Sequence, residues 1–127
     1  MKIAILNENM DTDQPFWVHL DNNAELLSCA PIAEDIEQLL HSHKIDAVIG
    51  SDSDLSLIKS IIAHFPTINY ALLSSHAAED FHKMTEGYGF FMQLPPDPGK
   101  EHAKTFLSRL AAITGSPESK SSEEQLS

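Results

Sequence analysis

Ile49-Gly-Ser-Asp-Ser-Asp-Leu55 closes one apolar run, Ala47-Val-Ile-Gly50, and opens a second pattern, with apolar residues at Leu55, Ile58, Ile61, Ile62 and Phe65. The short run reads as a buried strand, and recurrence every three or four residues as one face of a helix. A strand that passes through a polar loop straight into a helix is half of a βαβ unit. If the unit repeats along the chain, the sheet is parallel and helices cover both of its faces.

It does repeat. Ile3-Ala-Ile-Leu6, Leu26-Leu-Ser-Cys29, Tyr70-Ala-Leu-Leu73 and Phe90-Phe-Met-Gln93 are further strand candidates. Helical spacing recurs at Ile32, Ile36, Leu39 and Leu40, and again at Ala103, Phe106, Leu107 and Leu110. His76 to Gly87 predicts another helix, with Ser75 as its cap and Gly87 as its terminator. Pro31 suits a first helical position, Pro66 stops the helix that carries Phe65, and Asp97 followed by Pro98 reads as the start of the last helix. Pro15-Phe-Trp-Val-His-Leu20 is either a short first helix or an irregular excursion. The expected fold is a doubly wound α/β sandwich with five parallel strands.

The chain has 127 residues, enough for one core, and residues 1–114 are expected to form it. Residues 115–127 contain Ser, Pro, Glu and Lys without apolar periodicity, which predicts a disordered tail or a linker. With 19 acidic against 8 basic side chains the formal charge is −11, so there is no basic stripe to hold a nucleic-acid backbone. A lone Cys29 in an apolar stretch reads as a buried thiol of a reducing compartment. No apolar window is long enough for a membrane span, and the chain is expected in the cytoplasm with no membrane partner.

The order of these elements, with four local segments, resembles the receiver domain of two-component response regulators, over residues 2 to 113. Lys2-Ile-Ala-Ile-Leu-Asn-Glu8 resembles the first receiver strand and the acidic pair after it, and Ile45-Asp-Ala-Val-Ile-Gly-Ser-Asp52 the strand that ends in the phosphoacceptor aspartate. Asn69-Tyr-Ala-Leu-Leu-Ser-Ser-His76 is similar to the fourth strand with its switch hydroxyl, and Met92-Gln-Leu-Pro-Pro-Asp-Pro98 to the fifth strand with its Lys-Pro. The resemblance implies a CheY-like, flavodoxin-type sheet with strand order 2-1-3-4-5.

A receiver transfers a phosphoryl group to a carboxylate, and the charge on the phosphoryl oxygens is met by a divalent cation and a fixed lysine. The resemblance puts Asn7 and Glu8 at the acidic pair, so one of the two carboxylates is an amide, with Asp11 and Asp13 nearby. It puts the acceptor at Ser51 or at Asp52, depending on whether the count starts from Asp46 or from the Gly-Ser-Asp strand end. Ser74 matches the switch hydroxyl, and Tyr88 or Phe91 could supply the switch aromatic, although both rings more simply pack in the core. The lysine position is occupied by Leu94, and no lysine lies between Lys83 and Lys100. The expectation is therefore a pseudo-receiver: no enzyme, no resident cofactor, weak magnesium binding at most through Glu8 and Asp52, and no labelling by acetyl phosphate. Its partner would be another protein or a second copy, meeting the face of the fourth helix, fifth strand and fifth helix around His82, Tyr88, Gln93, Pro95 and Lys104.

Two other readings stand beside this one. Asn7, Glu8, Ser51, Asp52, Ser74 and Ser75 would converge at the carboxyl ends of the strands, where sheets of this type bind small ligands or cations. Gly50-Ser-Asp-Ser-Asp-Leu55 also resembles the glycine-serine loop of the phosphoribosylaminoimidazole carboxylase (mutase) family, and Ser74-Ser-His76 part of its Ser-Ala-His-Arg segment. In that family, however, the loop follows the first strand, and the Arg position is Ala77 here. The pairs His41 with His43 and His76 with His82 lack an obvious third ligand, so a structural role for these histidines is expected, His41 and His43 near a helix end.

Overall fold

The computed structural model describes residues 1–7 and 13–115. Five strands alternate with five helices: β1 (Lys2–Leu6), α1 (Pro15–Asn23), β2 (Glu25–Cys29), α2 (Ala33–Ser42), β3 (Ala47–Ser51), α3 (Leu55–Ile62), β4 (Asn69–Leu73), α4 (Ala78–Thr85), β5 (Phe90–Leu94) and α5 (Lys100–Thr114), with a 3-10 turn at Asp52–Asp54 between β3 and α3. All pairings are parallel and the strand order is β2-β1-β3-β4-β5. This is the expected doubly wound α/β fold.

Apart from Lys2, Ser51 and Asn69 at their ends, the three central strands run apolar because both faces of the sheet are covered. Successive side chains point to opposite faces, so Ile3, Ile5, Ala47, Ile49, Ala71, Met92 and Leu94 pack with Phe16, Trp17 and Leu20 of α1 and Phe106, Leu107 and Leu110 of α5. Ala4, Leu6, Val48, Tyr70 and Leu72 pack on the other side with Ile36 and Leu40 of α2, Ile58 and Ile61 of α3 and Phe81 of α4. The Asp46 carboxylate accepts the Lys2 N–H at 2.9 Å at the start of the sheet.

The ambiguous segment after β1 is a helix. Pro15 occupies its first turn, and Phe16 and Trp17 meet edge to face, 4.7 Å between ring centroids, beneath the sheet. Several expected boundaries move. Pro31 precedes α2 instead of opening it, because Ile32 remains extended as the N-cap and donates its N–H to Ala30 O. Pro98 likewise lies before α5, whose cap is Gly99, with the Gly99 N–H donated to His102 Nδ1 at 2.9 Å. Ser75 does not cap α4: Ala77 is the N-cap, and in the bend before it the His76 N–H is donated to Ser74 Oγ. Gly87, at φ +84°, follows the end of that helix as expected. Helix α3 stops at Ile62, short of Phe65, which turns its ring to His41 and its carbonyl to the Tyr70 hydroxyl at 2.7 Å. Cys29 is half-buried, since β2 is an edge strand. The predicted tail lies outside the described residues, apart from Gly115, which caps α5 at φ +74°.

Candidate functional site

Parallel strands deliver their last residues to one end of the sheet, and β1, β3 and β4 are neighbours in it. Asn7 leaves β1, Ser51 ends β3, Asp52 opens the turn beyond it, and Ser74 and Ser75 leave β4. The expected convergence at this end therefore holds for those five positions. Glu8 and Asp11 lie outside the described residues. Asp13 stands at the start of α1, beside a groove of about 380 Å³ shared with Lys100.

The Ile49–Leu55 loop is built from its own side chains. The buried Asp54 carboxylate accepts the Ser51 N–H at 2.9 Å and the Ser51 hydroxyl at 3.1 Å, one arm of a capping box that closes the 3-10 turn ahead of α3. The cap is thus formed between Ser51 and Asp54, not by Ser53, whose hydroxyl meets that of Ser51 at 2.9 Å. Gly50 is required by close approach: a Cβ there would come within 2.6 Å of Ile58 Cδ1 and 3.3 Å of both Asp54 Cβ and Leu6 Cδ1.

Asp52 is the carboxylate left for other work. Its Oδ2 lies 3.4 Å from the Ser75 N–H and 3.8 Å from His76 Nε2, so it reaches from the turn after β3 to the loop after β4. Its Oδ1 is buried and has no hydrogen-bond partner among the described residues. Ser74 is buried, donates its N–H to Leu94 O at 2.8 Å, and accepts the His76 N–H on its hydroxyl. Gln93 ties the same loop down, donating from Nε2 to His76 O at 2.7 Å. His76, which the sequence offers for metal binding and for the carboxylase comparison, is thus the imidazole that lies beside Asp52. Its spacing from Asp52 carries no local signal, because the two meet only through the β3–β4 pairing.

The fifth strand supplies no charge. Leu94 is fully buried in the α1–α5 layer, and only its carbonyl faces the site. Phe91 packs against Phe106, with ring centroids 5.3 Å apart. Tyr88 departs from the expected core position: it is 37 % exposed, and Lys59 Nζ sits 4.7 Å above its ring.

Magnesium needs near-octahedral oxygen ligation, usually with one or two carboxylates. Of the described donors, Asp52 alone offers it a carboxylate, with Oδ2 facing His76 and Oδ1 without a partner, because Asp54 is committed to the turn and Asn7 is an amide. Among the described residues no three His, Cys, Asp or Glu side chains cluster to hold a metal ion. Among them, too, no helix is long and apolar enough to cross a membrane. The loop that resembles the carboxylase follows β3, away from the first strand where that family carries it.

No protein-family model matches the sequence, and no curated protein matches it. Solved structures do. A response regulator from Thermotoga maritima superposes with a TM-score of 0.72 at 17 % identity, covering 87 % of this chain and 97 % of that one. An atypical orphan response regulator, described as having a phosphorylation-independent regulatory mechanism, gives 0.65 at 18 %, covering 89 % and 94 %. The N-terminal domain of an uncharacterized protein from Wolinella succinogenes gives 0.63 at 21 %, covering 90 % and 96 %. With the strand order and the layers described above, these likenesses identify the fold of this chain as that of a CheY-like receiver domain.

Proposed function

We propose that the chain is an atypical receiver-type signalling module that acts through protein–protein contact, without phosphoryl transfer to Asp52 and without catalysis of its own. The observation that carries this reading is the buried Leu94 at the place where a receiver needs a fixed cation. A phosphoryl group on Asp52 would develop negative charge next to a neutral strand end, with the His76 imidazole beside it. The phosphorylation-independent mechanism attributed to one structural neighbour supports the same reading.

Contact would run through the face of α4, β5 and α5, either to a second copy or to another protein of the cytoplasm, and the module would serve a regulator of transcription. His82 and Lys104 are exposed there, and Gln93 and Pro95 are half-buried. Multi-angle light scattering over a concentration series tests this. The mass at each concentration should be the same with and without acetyl phosphate and magnesium. A change of mass on adding acetyl phosphate would overturn the proposal, and a monomer throughout would remove its homodimer form.

A further inference from the structure

The two edges of the sheet are built differently. At β5 the register runs from Tyr70↔Phe90 to Ala71↔Met92, so Phe91 is an extra residue and the edge is bulged, a device that discourages pairing with another chain. At β2 all five residues pair with β1 in unbroken register. Glu25 donates its N–H to Met1 O at 2.9 Å. In a parallel strand the peptide groups alternate in direction, so those of Glu25, Leu27 and Cys29 face β1, and those of Leu26 and Ser28 face outward. Neither proline nor lysine guards this edge.

A groove of about 370 Å³ adjoins the carboxyl end of this edge, lined by Cys29 and Ala30 and, on the α2 side, by Asp35, Leu39, Ser42 and His43. Neither β2 nor α2 contains Lys or Arg, whereas Glu25, Glu34 and Asp35 are exposed. We propose that the β2 edge and this groove form a docking site for an extended basic segment of a partner protein. The segment would add as a sixth strand, with its backbone on Leu26 and Ser28, small apolar side chains toward Leu39, and Lys or Arg side chains toward Glu25 and Asp35. A second copy of this chain fits poorly, because edge-to-edge pairing of two β2 strands brings two acidic α2 surfaces together, each on a chain of charge −11. This surface is separate from the α4–β5–α5 face and stands whether or not that face is used.

The test is an amide-resolved NMR titration of the full chain with a blocked hexapeptide alternating Val and Lys, and with its Val–Glu counterpart. The Val–Lys peptide should shift the amides of Leu26, Ser28 and residues 35–43 and slow hydrogen exchange at Leu26 and Ser28. Ser28→Pro, tolerated on the solvent side of an edge strand, should weaken binding about tenfold, and Asp35→Lys on the exposed helix surface should weaken it several-fold, roughly what one net hydrogen bond or one exposed charge contributes. Shifts centred elsewhere, equal binding of the Val–Glu peptide, affinity unchanged in both variants, or a β2-mediated dimer without peptide would each overturn the proposal.

Discussion

The carboxyl ends of β3 and β5 lie at the same end of the sheet, yet they are built for opposite environments. At the end of β3 and in the turn beyond it, Ser51, Ser53 and Asp54 bond to one another, and Asp52 Oδ2 reaches the loop after β4. At the end of β5, Leu94 is sealed under α1 and α5, and it contributes only a carbonyl to Ser74. Topology depends on the apolar runs, which both strands keep, and the two ends differ in their terminal side chains, a carboxylate just beyond β3 and a buried leucine at the end of β5.

The contrast can be broken most severely at Leu94. Leu94→Ala should cost about 2–5 kcal/mol in urea unfolding, as for other fully buried leucines. A loss under about 1 kcal/mol would mean that the end of β5 is looser than described. At the β3 end, Asp54→Ala should cost about 1–2 kcal/mol, because the Ser51 N–H and hydroxyl lose their common acceptor.

Tyr70, on β4 between the two ends, sharpens the comparison through pH. Burial pushes its phenol well above the usual range, so above pH about 10 the unfolded chain loses this proton while the folded chain keeps it. Stability should therefore fall as pH rises beyond that point. Tyr70→Phe should cost about 1 kcal/mol at neutral pH, from the lost bond to Phe65 O, and should flatten part of the alkaline fall. Melting curves at pH 7 and at alkaline pH check both. Asp52→Asn should matter least, within about 0.5 kcal/mol, since its pairing with His76 is long and partly exposed.

The apolar runs made most of this fold legible in advance. Ile3 to Leu6, Ala47 to Gly50 and Tyr70 to Leu73 needed no tertiary information, because a strand covered on both faces is apolar throughout. The start of α2 departs from the expectation at Pro31, since proline favours a first turn but does not compel one there, and the Ala30–Ile32 turn comes first. At α4 a local competitor prevailed: the Ser74 hydroxyl captured the His76 N–H and delayed the helix to Ala78. The spacing Ser51-x-x-Asp54 already carried the capping signal. The Asp52–His76 pair could not be read in this way, because 24 residues and a strand pairing separate its members. The burial of Leu94 followed from its residue type, whereas the contact of Tyr88 with Lys59 of α3 joins residues far apart in the chain.

The most direct measurement is the intact mass of the full chain after incubation with acetyl phosphate and magnesium, followed by peptide mapping of residues 49–59. With Leu94 in place of a cation, the chain should return unmodified. A stable phosphoryl group on Asp52, present in the native protein and absent from Asp52→Asn, would contradict the reading of this site as a receiver corner that has lost its chemistry.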